Sequence, residues 1–247
     1  EDCLEGMKRI PDKSVDMILC DLPYGSTEFK WDMKLSLELL WEEYSRIIKI
    51  NSVIALNAVQ PFTTDLINSN RKSFKYNWVW VKNRPTGHVH AKNMPMKKYE
   101  DVVIFSSGVI NHKSLTNKRM PYNPQGLFNT KPTIRKLRHS LVVMGKRPSH
   151  KNTTSSVSGY PNNILNFDKP IDKHHPTQKP IALFEYLIKT YTKEGQTVLD
   201  NCIGSGTTAI ACINTKRNYI GFEKDKKYFD IANKRISDNQ EKNVKQT

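Results

Sequence analysis

Apolar residues along this chain gather in short runs that end abruptly at polar or proline-containing turns. Val15-Asp16-Met17-Ile18-Leu19-Cys20 is one such run, and Asp21-Leu22-Pro23-Tyr24 stops it. The pattern predicts a buried strand whose C-terminal end presents a carboxylate, a backbone carbonyl and an aromatic ring at one point. A helical repeat follows from about Leu35 to Ile50, then a strand from Ser52 to Asn57 and a helix around Phe62 to Asn68. Tyr76 to Val81 and Asp101 to Phe105 read as further strands. Helical periodicity returns at Ile181 to Tyr191, before a strand at Thr197 to Asp200, a helix opened by Thr207, a strand at Tyr219 to Glu223 and a last helix from about Lys226 to Ser237. The polar tail from Asp238 to Thr247 is expected to fray. Repeated alternation of strand and helix predicts an α/β fold with a doubly wound sheet. No internal repeat is visible.

The middle of the chain breaks this rhythm. From Val102 through Phe167 there is no Asp or Glu, while Lys118, Arg119, Arg135, Lys136, Arg138, Lys146 and Arg147 are among the basic residues there. Asn, Ser, Thr, Pro and Gly are frequent, with Tyr122, Phe128 and Tyr160 interleaved, as expected for irregular structure that contacts phosphates and base edges. A basic surface loop with no readout role is the plain alternative.

Composition changes the picture in the same direction. The formal net charge of the 247 residues is +15. Such an excess favours a polyanionic partner, because each neutralised phosphate releases counterions. Nucleic acid leads and an acidic membrane surface trails. No apolar stretch approaches the roughly 20 residues that span a bilayer, and no signal-peptide pattern opens the chain, so a soluble, cytoplasmic protein is expected. The chain starts at Glu1 rather than Met, and a short natural N-terminus is expected to precede it. Cys3, Cys20, Cys202 and Cys212 have no metal-like spacing and read as reduced thiols in or near the core. His174 and His175 are neighbours without a Cys or carboxylate at useful spacing, so no metal site is expected.

Two strand ends carry candidate chemistry. At the first, the Asp21 carboxylate and a carbonyl of the Leu22-Pro23 segment suit the two N–H bonds of an exocyclic amino group on a flat base, on which Tyr24 stacks. At the second, Val198-Leu199-Asp200 runs into Asn201-Cys202-Ile203-Gly204-Ser205-Gly206-Thr207-Thr208. Its glycines permit close approach of a ligand, and the following helix N-terminus suits an anionic group. A phosphate-binding P-loop is excluded by Thr207, which stands where the lysine belongs. Glu223, about 20 residues after the loop, suits ribose hydroxyls.

Asp21-Leu22-Pro23-Tyr24 resembles the Asp-Pro-Pro-Tyr motif of DNA amino-methyltransferases, and Asp200 to Thr208 resembles their S-adenosylmethionine loop. His175-Pro176-Thr177-Gln178-Lys179-Pro180 resembles the segment just upstream of that loop. The order, catalytic motif first and cofactor loop last, is that of the permuted beta class. The resemblance covers nearly the whole chain. It implies a Rossmann-like methyltransferase domain over 1–247, with an inserted basic target-recognition region over 106–168. It implies Asp21, Pro23 and Tyr24 as catalytic residues, and Asp200, Gly204, Ser205, Gly206, Thr207 and Glu223 as cofactor ligands. Asp2 at the adenine, and Lys179 with Thr177 at the methionine carboxylate, complete that set. Leu22 departs from the usual first proline, which loosens the backbone and restores one N–H.

The implied reaction is direct transfer of a methyl group to adenine N6 in duplex DNA, with the base flipped out of the stack. An amino nitrogen conjugated with the ring is a poor nucleophile, and acceptors at its N–H groups aim its lone pair and stabilise the positive charge that develops. The absence of a Pro-Cys dipeptide argues against cytosine C5 chemistry. Cytosine N4 methylation uses the same geometry and remains an alternative, as does a catalytically silent nucleic-acid-binding protein of this fold. The implied partner is duplex DNA. The order of motifs is silent on a homodimer and on a cognate nuclease.

Overall fold

The structure, a computed structural model, describes residues 1–25, 35–110, 116–135, 153–171, 175 and 177–244. The chain divides into two compact units, Glu1–Asn123 together with Asn163–Thr247, and Pro124–Asn162.

The larger unit is organised by β1 (Val15–Cys20), every residue of which is buried. Burial on both faces requires an almost continuous apolar run, which is what the sequence supplies. Strand β2 (Ile48–Ala58) pairs with it in parallel on one side, Cys20 opposite Leu56. On the other side lies β8 (Thr197–Asp200), also parallel, with Ile18 opposite Leu199, and beyond it β9 (Asn218–Gly221). β3 (Phe74–Thr86), β4 (Lys97–Ser106) and β7 (Ile164–Asn166) complete a seven-stranded sheet of order β7-β3-β4-β2-β1-β8-β9. Only β4 opposes the others: it is antiparallel to both β2 and β3, whereas β3 and β7 are parallel.

Successive residues of a strand point to opposite faces, and the core divides accordingly. Ile18 and Cys20 join one apolar layer with α1 (Cys3–Met7), α2 (Leu37–Ile47) and α3 (Phe62–Ser69), built around Met7, Leu40, Tyr44 and Leu66. Met17 and Leu19 join the other, with α4 (Ile181–Tyr191) and α5 (Thr207–Asn214), built around Phe184, Leu187 and Ala211. Helices thus cover both faces of a mostly parallel sheet. The chain leaves β1 through α2 on one face and enters β8 from α4 on the other. A crevice opens between the carboxyl ends of such strands, where connections diverge to opposite faces.

The expected elements are present, with some ends shifted: β2, β3 and β4 are longer than their apolar cores, and the last helix, α6, runs Lys226–Val244. The stretch expected to be irregular contains regular structure. In the smaller unit, β5 (Phe128–Arg135) pairs antiparallel with β6 (Thr153–Ser158). Their exposed, Thr- and Ser-rich strands carry no inward-facing apolar set, so no alternation marks them. Pro132 lies where the pairing register shifts, between Asn129 and Thr133, a position that tolerates a missing N–H.

Gly206 joins the loop after β8 to α5 and takes φ +84°, and a β-carbon there would meet Ala232 of α6 at 3.1 Å. Gly206→Ala is expected to lower stability by about 1–3 kcal/mol. Urea unfolding checks this: the midpoint should fall with an unchanged slope.

Candidate active site

Where β1 runs out, its carboxyl end delivers Asp21 and Tyr24 together. The Tyr24 hydroxyl donates to Asp21 Oδ1 at 2.7 Å, and the ring leans on Phe62 with centroids 5.1 Å apart. Leu22 is 3% exposed and packs in the apolar layer of α1 to α3. Leucine in place of proline therefore adds to the core, and both Leu22 and Pro23 line the cavity. Lys179, just before α4, donates from Nζ to Asp21 Oδ2 at 2.6 Å and lies 3.2 Å from Glu100 Oε2. Lys82 of β3 reaches Glu100 Oε1 at 3.2 Å.

The charges here are tightly coupled. Burial pushes the Asp21 carboxyl above its ordinary value against the pull of Lys179, and Glu100 pushes it further. Glu100 is buried too, but Lys179 and Lys82 outweigh that and hold it below the usual range. Burial disfavours the Lys179 ammonium, yet its two carboxylates more than compensate, so it stays charged. Burial, followed by Asp21 and Glu100, keeps the Tyr24 phenol protonated.

The neighbouring strand end forms the other half of the cavity. Asp200 accepts from the Cys202 N–H at 3.1 Å and from the Thr208 hydroxyl, pinning both ends of the turn that contains Gly204 and Gly206. Burial pushes its carboxyl up to about 6, against those hydrogen bonds. Glu223, just past β9, accepts from the Gly204 N–H at 2.9 Å and the Asp225 N–H at 2.8 Å, tying two strand-end loops together. Arg235 of α6 donates to Ser205 Oγ at 2.9 Å. Asp2 caps α1 through the Leu4 N–H at 3.0 Å and pairs with Lys224 at 3.2 Å. Thr177 Oγ1 lies 3.0 Å from His175 Nδ1, and the His175 ring packs against Tyr228 at a tilt of 60°, centroids 4.2 Å apart.

Asp2, Asp21, Pro23, Tyr24, Thr177, Lys179, Asp200, Gly204, Ser205, Thr207 and Glu223 all line one cavity of about 880 Å³. That is within the size range of sites for small organic ligands, about 300–1,000 Å³. Gly206 is not among the lining residues and packs against Ala232 of α6. Among the basic residues singled out, Lys118 is exposed on a short 3-10 turn and Arg119 is half-buried beside it. Arg135 ends β5, and Lys136, Arg138, Lys146 and Arg147 lie outside the described residues. No group of three or more His, Cys, Asp or Glu among the described residues is arranged to hold a metal, and no helix among them is long and apolar enough to cross a membrane.

Glu100, Lys82 and Trp80 were not legible as site residues. Their strands were, but the direction of β4 was not: because it runs against its neighbours, Glu100 in its first half reaches the cavity, opposite Trp80. Lys179, expected at the methionine carboxylate, lines the same cavity and contacts Asp21 and Glu100.

The profile of a DNA methylase family that comprises N6- and N4-methyltransferases matches residues 15–234. The chain belongs to this N6/N4 DNA methylase family. Type II methyltransferase M.HpaI of Haemophilus parainfluenzae is 24% identical over 95% of this chain and 72% of its own length. DNA adenine methyltransferase YhdJ of Escherichia coli K12 is 27% identical over 95% of this chain and 80% of its own length. Among solved structures, the M1.HpyAVI–SAM complex superposes with a TM-score of 0.62 at 24% identity, over 95% of this methylase and 96% of that chain. The cytosine-N4-specific PvuII DNA methyltransferase superposes with a TM-score of 0.64 at 15% identity, over 97% and 89%. The fold is the Rossmann-like fold of S-adenosylmethionine-dependent methyltransferases.

His175 supplies an electrostatic check on the cavity wall. Burial, helped by the nearby Lys179 charge, pushes its imidazole down to about 4, so the ring should stay neutral through the range where an exposed histidine titrates. An NMR titration of the ring C–H signals, assigned with His175→Gln, checks this; a midpoint near the ordinary histidine value would show the ring to be solvated.

Proposed function

We propose that this methylase transfers the methyl group of S-adenosylmethionine to the exocyclic N6 of adenine in duplex DNA, by base flipping and direct transfer. The observation that carries the reading is that the Asp21–Tyr24 strand end and the Gly204–Glu223 strand end line a single cavity. The first suits an amino group on a base, and the second suits a ligand with an anionic end and ribose hydroxyls.

In this reading Asp200, Gly204, Ser205, Gly206, Thr207 and Glu223 hold S-adenosylmethionine, with Asp2 at its adenine and Thr177 at its methionine carboxylate. Bound there, the cofactor supplies a methyl group on an electrophilic sulfonium. The chain's own contribution is to position the amino nitrogen. Asp21 accepts one N–H bond, a carbonyl of the Leu22-Pro23 segment accepts the other, and Tyr24 supports the ring. An ionised carboxylate beside the nitrogen also stabilises the positive charge that builds there as the new bond forms. The basic residues Lys118, Arg119, Arg135, Lys136, Arg138, Lys146 and Arg147 bind the DNA backbone. The preference for adenine rests on Asp in the first motif position, by resemblance to adenine enzymes; cytosine N4 methylation is the rival outcome.

Nucleoside mass spectrometry of DNA treated with the protein and labelled cofactor decides between them. N6-methyladenine as the sole methylated base is expected, and N4-methylcytosine without it overturns the base assignment. Absence of any transfer favours a silent binding protein. Asp21→Ala should reduce the rate by about 10²–10³-fold or more while cofactor affinity is kept.

Glu223→Ala should act on the cofactor side instead, costing about 1–3 kcal/mol of S-adenosylmethionine affinity. Calorimetric titration measures it, and an unchanged dissociation constant would leave Glu223 with the loop contacts alone.

A further inference from the structure

Four ionisable groups form an alternating line beneath the catalytic motif: Asp21, Lys179, Glu100 and Lys82, linked at 2.6, 3.2 and 3.2 Å. The two lysines are the most deeply buried, with side chains 6% and 2% exposed. The line holds two positive and two negative charges, so it is neutral as a unit. A buried ammonium is costly unless paired, and Lys179 is paired twice, to the carboxylate of the catalytic motif and to that of Glu100.

The position of Lys179 bears on what Asp21 is able to do. To accept a hydrogen bond from an amino group, a carboxyl must be ionised, since a protonated one offers an O–H donor instead. In a buried site an unpaired carboxyl favours the protonated form. Tyr24 contacts only Oδ1, and its hydroxyl is neutral. The other titratable groups facing Asp21 among the described residues work against ionisation or are uncharged: Glu100 from β4, Asp200 from β8, and the buried Cys20 thiol. Lys82 from β3 is engaged with Glu100 and Thr86, and His175 faces Lys179 as a neutral ring. Among the described residues, Lys179 is thus the cation in direct contact with Asp21.

We propose that Lys179 is a positioning residue for methyl transfer: it clamps Asp21 as an acceptor-only carboxylate facing the target amino group, while Glu100 holds the same ammonium from the other side and fixes its direction. The inference rests on the methyl-transfer reading. It differs from a role for Lys179 as a ligand of the cofactor.

The test combines the titration of Asp21, followed by carbon NMR of protein labelled at the Asp carboxyls and assigned with Asp21→Asn, with single-turnover methylation across pH. In Lys179→Met the Asp21 midpoint should rise by about one pH unit or more. The rate at neutral pH should fall about 100-fold, and the deficit should shrink as pH rises and Asp21 ionises. Cofactor affinity should stay within about threefold of the parent. Lys179→Arg, which keeps the charge, should keep the Asp21 midpoint close to the parent's. Glu100→Gln should move the midpoint the opposite way, because Glu100 opposes ionisation of Asp21. If Lys179→Met does not fold, the Glu100→Gln shift and the Lys179→Arg midpoint carry the test. An unchanged Asp21 midpoint in Lys179→Met, or in Glu100→Gln where that variant stands in, overturns the proposal. So does a Lys179→Met protein that loses cofactor affinity about tenfold yet turns over normally at saturation. A parent protein that shows the Asp21 shifts but methylates no DNA counts against the methyl-transfer reading and leaves the clamp standing.

Discussion

Everything in the larger unit depends on the burial of β1 between two parallel neighbours. A strand covered on both faces has room for polar side chains only where it enters and leaves the sheet. Both carboxylates of this segment obey that limit. Asp16, near the entry, accepts from Lys49, Gln196 and the Thr197 N–H and so knits β1 to β2 and β8. Asp21, one residue past the exit, faces the cavity. The same chain geometry therefore builds the scaffold at one edge of the sheet and the chemistry at the other.

Because β8 and β9 run parallel to β1, their carboxyl ends reach the same edge, and Asp200 and Glu223 arrive there without long excursions. Neither is left free: each accepts backbone N–H groups from the loops it borders. The cavity wall is therefore held by its own acidic residues before any ligand enters. Such preorganisation lowers what binding must spend on ordering loops.

Where patterning came from burial, the sequence was readable. β1 and β8 are short runs flanked by turn residues, and α4 repeats its apolar face with helical period, so their types and approximate limits followed. The two catalytic-type strand ends were readable because polar residues interrupt apolar runs there. What escaped depended on pairing direction or on exposed strands. Nothing in Glu100 marks it as a neighbour of Asp21, since that requires knowing that β4 is reversed, and Lys82 joins the group only through Glu100. β5 and β6 lack an apolar face, so Thr- and Ser-rich composition read as loop. The contacts of Lys179 with Asp21 and Glu100 were not legible for a third reason: they join segments far apart in the chain, and this is decided only by packing.

Asp21 and Lys179 are 158 residues apart in the chain, and this spacing bears on how the protein is made. β1 gains β2 early in synthesis, but β8 and the Lys179 segment follow only after the intervening residues have been added. Until then Asp21 sits at the end of an apolar strand with one flank open and no cation against it. Contacts at such separation slow folding and delay completion of the site until nearly the whole domain has emerged. A chain halted before residue 179 would carry Asp21 at the end of β1 and still lack the ammonium that pairs with it.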